Sequence, residues 1–349
     1  MNFKKVVTIA ATAGALAALA VPAMAETSLY GSARLTTFWN TVDSPTIGSN
    51  TDFQENLQAN SRLGINFTNG THGGKVELGV GTAGVTTRHM YGTEKFNFGT
   101  VLVGQTENPY YFISSSVAKD ENVSNGYGSL WDTRQPQIKL TLNNGFYVAA
   151  ITPSSSASAG TTENYLPKMN AGYEGKAGNF AYGAGVLGQT YKVQNGTTGA
   201  TTDTVTSLLG YFHGTLKSGA AELKFNLGVG QNMGNMGFVA AAGSTQSNIY
   251  AGGEDTTTIE GFVQGGYAVS PTVKLNAGFG YVTDDNDRFA KADNRMQIFV
   301  NAPIVLAKGF SVTPEFSYFD QLDNTNTTTF VSTEGNKEYL VGAKWQMDF

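Results

Sequence analysis

The sequence contains no cysteine. That single absence excludes disulfide staples, iron–sulfur clusters, thiolate catalysis and covalently attached haem. Histidine is almost as scarce: His72, His89 and His213 are too dispersed to suggest a metal site, and no cofactor is expected. Charge is thin, at 14% of residues, and leans acidic, with 22 Lys and Arg against 27 Asp and Glu. Nucleic acid is therefore not an expected partner, because binding to phosphates rests on Lys and Arg. After the N-terminal segment no stretch reaches the roughly 18 consecutive apolar residues that a membrane helix needs.

That N-terminal segment is itself informative. Lys4 and Lys5 precede an apolar, Ala-rich stretch from Val6 to Val21, and Ala23-Met24-Ala25 is a small-x-small cleavage site. The pattern predicts a secretory signal peptide over residues 1–25 and an exported chain that begins near Glu26. Without Lys4 and Lys5, 20 basic residues remain against 27 acidic ones, a formal charge near −7. Turn signals run unbroken through residues 26–349, which reads as one domain.

The dominant signal within that domain is a period of two. Leu29, Ala33, Leu35 and Trp39 alternate with Ser32, Arg34 and Thr36; Leu63, Ile65 and Phe67 alternate with Arg62 and Asn66. Leu223, Phe225, Leu227 and Val229 oppose Glu222, Lys224 and Asn226, and Met296, Ile298 and Val300 oppose Arg295, Gln297 and Asn301. The apolar sets carry no charge, as a lipid-facing surface requires, since Arg or Lys at the bilayer midplane costs about 2–4 kcal/mol. With 43 glycines and 11% aromatics, the expected fold is all-β: a transmembrane, antiparallel, up-and-down β-barrel of about sixteen strands.

Connections alternate between two kinds. Tight turns are expected at Asn69-Gly70, around Phe98-Gly99, Asn143-Asn144-Gly145, Gly175 to Asn179, Lys217-Ser218-Gly219, Ser270-Pro271-Thr272 and Ala307-Lys308-Gly309. Longer polar connections are expected after Asn40, at Pro153 to Tyr165, Gln194 to Asp203, Met233 to Asp255, Asp284 to Asp293 and Asp320 to Asn336. Two places break the pattern. Thr87 to Asn97 alternates poorly, and Pro314, which lacks a ladder donor, predicts a bulge within Phe310 to Phe319.

The last strand ends on Phe349. Tyr339, Val341, Ala343, Trp345, Met347 and Phe349 share one face; Glu338, Gly342, Lys344, Gln346 and Asp348 share the other, with Leu340 the one misfit. Gly342, Trp345, Met347 and Phe349 resemble the C-terminal signature by which bacterial outer-membrane barrels are handed to the barrel-assembly machinery. Together with Leu29-Tyr30-Gly31, Ser61-Arg62-Leu63-Gly64, Phe98-Gly99-Thr100, Gly104 and Arg134, the chain resembles the general bacterial porin family.

That resemblance implies a homotrimer in the outer membrane, among lipid and lipopolysaccharide, passing ions and small hydrophilic solutes. It also implies that the third long connection, Glu107 to Thr133, folds into the lumen. Arg34, Arg62 and Arg134 would form its basic wall, and Asp120 and Glu121 the opposing acids on the loop. Gln105 stands where the family usually carries Arg, a loss for which Arg88 would compensate. A barrel serving as a sleeve or anchor for another surface or electron-transfer protein is the alternative.

Other motifs carry less. Gly79 to Gly84 and Gly183 to Gly188 fit G-x-G-x-x-G, but neither opens a helix. Asp284-Asp285-Asn286-Asp287 lacks the Gly and distal Glu of a calcium loop and reads as a solvated loop tip. Ser207 and His213 share a strand face but lie about 20 Å apart, too far for a nucleophile and its base, so no enzyme is expected.

Overall fold

Alternating residues make strands, and the strands of this chain pair into one antiparallel sheet that closes on itself. The computed structural model describes residues 26–81, 84–112, 117, 127–130, 134–155, 161–194, 202–237, 253–289, 291–325 and 332–349. The segment assigned to a signal peptide, 1–25, lies outside them. The closed barrel has sixteen strands. They are β1 (Glu26–Ser44), β2 (Gly48–Leu57 continued by Arg62–Asn69), β3 (His72–Gly81), β4 (Gly84–Phe96), β5 (Gly99–Thr106), β6 (Gln135–Leu142), β7 (Phe146–Ile151) and β8 (Thr161–Glu163 continued by Lys168–Ala177). The second half comprises β9 (Phe180–Gln194), β10 (Thr202–Ser218), β11 (Ala221–Gln231), β12 (Thr256–Ser270), β13 (Val273–Asn286), β14 (Asp293–Asn301 continued by Ile304–Ala307), β15 (Phe310–Gln321) and β16 (Lys337–Asp348).

Each strand pairs with its sequence neighbours, and β1 pairs with β16 from Ser32↔Asp348 to Asp43↔Lys337. Beyond that ladder, Gly31 N donates to Phe349 O at 2.7 Å and Phe349 N donates back to Gly31 O at 3.0 Å. The Phe349 ring fills the space that a Cβ on Gly31 would need, approaching it to 2.3 Å. Tight turns fall where the sequence places them; Gly70 (φ 61°) and Gly178 (φ 62°) supply the left-handed residue of two of them.

Alternation sorts the two faces. Leu29, Met90, Val103, Ile138, Val186 and Trp39 are exposed on the outside, whereas Thr258, Gln264, Asn276, Gln297 and Ser317 are buried inside. Leu340 is buried against Phe38, Phe319 and Val117 in an interior apolar cluster. Its place on the otherwise polar face of β16 thus has a packing reason.

Three expectations are corrected, and the irregular stretch from Thr87 has a bulge at its start. The first long connection is instead a hairpin: β1 and β2 pair up to Ser44↔Gly48, and β2 is interrupted only around residues 58–61. In β4, Glu77 pairs with His89 but Leu78 with Thr87. Arg88 is therefore the extra residue of a bulge, which reverses the phase between Thr87 and His89. Pro314 pairs with Ala343 in a ladder without a shift. Its carbonyl accepts from Ala302 N at 3.1 Å, so its missing donor faces β14, and it is β14 that breaks between Asn301 and Ile304. Finally, Asp284 is no loop tip. It is buried in β13, where Arg295 NH1 lies 3.3 Å from Asp284 Oδ2 and Arg295 NH2 lies 3.5 Å from Asp293 Oδ2.

All three of these side chains are almost fully buried. Replacing Arg295 by Met leaves two carboxylates without their cation, a change that costs about 3–5 kcal/mol in comparable buried pairs. Urea unfolding in lipid vesicles is expected to show a lower midpoint for Arg295→Met. Adding Asp284→Asn and Asp293→Asn to it is expected to recover most of the loss.

Candidate functional site in the barrel lumen

The Asn69-Gly70 turn sets the register of the β2–β3 hairpin, with Arg62↔Gly79, Gly64↔Glu77 and Asn66↔Lys75. Arg62, Lys75 and Glu77 therefore share the inward face. Glu77 is the hub of a cluster of cations, its side chain fully buried. Arg88 Nε donates to Glu77 Oε1 at 2.6 Å and Tyr30 OH to Oε2 at 2.6 Å. Lys75 Nζ lies 3.2 Å from Oε2 and Arg62 NH1 3.7 Å from Oε1. The ring of Tyr30 reaches Glu77 over Gly64, where a Cβ would meet it at 2.4 Å.

A second acid extends the group. Glu107 Oε1 accepts from Arg134 NH2 at 3.0 Å, across the base of the third long connection. His89 stands between the two acids, its Nε2 3.7 Å from Glu77 Oε1 and 3.9 Å from Glu107 Oε1; Arg134 Nε donates to that Nε2 at 3.3 Å, and His89 Nδ1 lies 2.9 Å from Thr106 Oγ1. The structure thus brings together Arg62, Arg88 and Arg134 of the basic wall expected from the sequence. Arg34 is anchored by other partners, its Nε donating to Ser32 Oγ at 3.1 Å and its backbone N to Ser61 Oγ at 3.0 Å. Gln105 does not belong to the wall. It pairs with Met90 and Pro136 on the outward face, and its Nε2 donates to Thr87 O at 2.8 Å. Asp120 and Glu121 lie outside the described residues.

Glu77 and Glu107 are not among the residues singled out from the sequence. Counting back from Asn69-Gly70 is the signal that finds Glu77, since it places this acid inward beside Arg62. Glu107 has no such signal, because its position depends on how the connection after β5 turns.

Described parts of that connection touch inward-facing residues on distant strands. Phe112 stacks on His213 of β10, with centroids 4.2 Å apart and planes at 16°. Asn226 Nδ2 of β11 donates to Gly128 O at 2.7 Å. Tyr127 lies edge-on to Phe319 of β15 at 5.8 Å. Glycine makes the seat possible: a Cβ on Gly280 would stand 1.9 Å from Tyr127 O, and one on Gly128 (φ 83°) would stand 2.1 Å from Gly261 O. Tyr110 and Leu130 join Leu209, Tyr211, Met233 and Met236 in a second interior cluster. Fully buried Lys168 ties that cluster together, donating through Nζ to Tyr110 OH at 3.2 Å and to Met236 O at 2.6 Å.

The C-terminal residues are placed as the alternation predicts. Trp345, Met347 and Phe349 are exposed on the outside, and Trp345 Nε1 donates to Thr37 Oγ1 at 3.0 Å across the seam. Gly342 faces inward, where a Cβ would stand 2.1 Å from Thr37 O and 2.7 Å from the Phe38 ring.

No protein-family model and no curated protein matches the sequence. Solved structures do match the fold. The outer membrane channel DcaP of Acinetobacter baumannii is 20% identical, with 94% of this chain and 99% of that one covered and a TM-score of 0.72. The anion-selective porin from Comamonas acidovorans is 14% identical, with 93% and 100% covered and a TM-score of 0.63. OmpT of Vibrio cholerae, in a trimer form, is 19% identical, with 92% and 99% covered and a TM-score of 0.56. Sixteen strands, an uncharged outer belt and full-length likeness to these proteins lead to one conclusion: this chain has the fold of the Gram-negative outer-membrane porins.

Proposed function

We propose that this chain is an outer-membrane porin, a water-filled passage for diffusion of ions and small hydrophilic solutes. The observation that carries the reading is the closed sixteen-strand sheet, apolar outside and polar inside. A barrel of that size encloses an aqueous channel rather than a core. The third connection narrows the passage, a role supported by the contacts of Phe112, Tyr127 and Gly128 with β10, β11 and β15. Segments of the chain itself already occupy part of the interior, which counts against a sleeve for a second protein. Homotrimer assembly is supported by the trimer form of the Vibrio cholerae protein. Lipopolysaccharide and the barrel-assembly machinery are its proposed outer-membrane partners, the latter reading the exposed Trp345, Met347 and Phe349.

Purified protein in a planar bilayer is expected to show ohmic conductance arriving in groups of three equal steps. A protein that inserts and stays silent would remove the porin reading.

The exposed charge of the passage decides its preference. Side chains of Arg62, Lys75, Arg88 and Arg134 retain 11–22% exposure while Glu77 retains none. The inward acids Glu260, Asp284, Asp293, Glu315 and Asp320 are buried, which leaves Glu107 and Glu174 as the more exposed acids against these four cations. Ions respond to the charge they meet, not to the acidic total, so the ohmic current is proposed to favour anions. Arg62→Ala is expected to move the reversal potential in a salt gradient toward cations. Glu77→Gln is expected to move it toward anions, both shifts shrinking above about 1 M salt, where the Debye length is about 3 Å. If Asp120 and Glu121 face this wall, Asp120→Asn with Glu121→Gln shifts it in the same direction as Glu77→Gln. Unchanged reversal potentials for Arg62→Ala and Glu77→Gln would place the narrowest section elsewhere.

A further inference from the structure

Below the Arg134–Glu107 pair the lumen wall holds a cavity of about 400 Å³ between the Glu107–Phe112 segment and the inward faces of β4, β6, β8 and β10. The size is within the range of about 300–1,000 Å³ typical of small-molecule sites. Its lining includes Lys139, Glu174, His213, Tyr91, Tyr111 and Phe112.

The charges of this lining are arranged as a dipole. Glu107, also at the edge, is already neutralised by Arg134 at 3.0 Å. Lys139 lies with its Nζ 5.7 Å from the centre of the Tyr147 ring and has no carboxylate partner among the described residues. Glu174 is half-exposed, and its only ion-pair partner among the described residues is His213, whose Nε2 lies 3.3 Å from Oε1. Both ring nitrogens of His213 are buried without a hydrogen-bond partner, and Phe112 stacked on one face of the ring holds it in place. The cavity therefore offers one cation, one anion and one imidazole with its hydrogen bonds unmet, with aromatic rings beside them.

A monoanion would gain Lys139 and be repelled by Glu174; a monocation would meet the reverse. A solute that carries both charges satisfies both groups, and its ammonium can also donate to the His213 ring. We propose that this cavity is a binding site for small zwitterions, namely α-amino acids with an apolar or aromatic side chain, the carboxylate on Lys139 and the ammonium between Glu174 and His213. The inference rests on the reading of the lumen as a solute passage and names a solute class for it.

The test is saturation-transfer NMR on the full-length protein in detergent, with empty micelles as the blank and three probes that share a ring and chain: L-phenylalanine, 3-phenylpropionate and phenethylamine. L-Phenylalanine is expected to bind about tenfold more tightly than either single-charge probe, the scale of one charge-assisted hydrogen bond. Lys139→Met and Glu174→Gln are each expected to abolish that advantage. The exchanged pair, Lys139→Glu with Glu174→Lys, is expected to restore it, because a reversed dipole accepts a reversed zwitterion. Equal binding of the three probes, or single variants that leave the advantage intact, would overturn the proposal. An open channel without zwitterion preference removes this site and leaves the porin reading. A silent channel that still prefers L-phenylalanine does the opposite.

Discussion

Closure of the sheet is the constraint on which everything else depends. In hydrocarbon each unpaired N–H or C=O costs several kcal/mol, so a sheet survives there only if its first and last strands meet. Here they meet along Ser32↔Asp348 to Asp43↔Lys337, and the chain spends its final residue on the same seam, with Phe349 and Gly31 exchanging two backbone hydrogen bonds. Once the cylinder is closed, parity alone decides which side chains meet lipid and which meet the interior. The interruptions respect this rule: β14 breaks where Pro314 has no proton to offer it, and Pro303 within the break turns its own missing donor toward β13, where its carbonyl accepts from Lys274 N.

The interior solves a different problem. A cylinder of this width cannot be filled by wall side chains alone, and the chain uses its connections to cover part of it. The seat for residues 127–130 is made by removing side chains rather than adding them, since Gly261 and Gly280 let backbone lie on backbone. Around that seat the buried acids Asp284, Asp293 and Glu315 are held by Arg295, Asn301 and Thr258. Glu77 and Glu107 hold the cations of β2 to β4 and of Arg134. Around Glu77 charge is sorted by exposure: the acid is fully buried and its cations are not.

Strand number, strand faces and short turns were legible because lipid outside and water inside impose opposite chemistry on successive residues. Legibility ended where that contrast ends. The paired ends of β1 and β2, with Thr41 and Asp43 against Thr51 and Ser49, are polar on both faces and leave no period to read. Arg88 and His89 hid a bulge, since one extra residue reverses the apparent phase of β4. Three of the four arginines expected in one basic wall lie close together around acids that the resemblance did not name, whereas Asp120 and Glu121 lie outside the described residues. Glu77 sits on the wall itself, a placement that follows from hairpin arithmetic. The contacts of Phe112 with His213 and of Tyr127 with Phe319 join residues about a hundred or more positions apart through an irregular segment, and no local periodicity encodes such contacts.

The bulge in β4 has a consequence of its own. Substitution changes the charge of a barrel wall one inward position at a time, and every second residue is unavailable because it faces lipid. An added residue escapes that limit. Arg88 stands beside His89 on the same side of the sheet, while Thr87 before it and Met90 after it keep their outward places. The wall thereby gains a cation at no cost to its outer surface, and the ionic character of such a passage becomes open to insertion and deletion as well as to replacement.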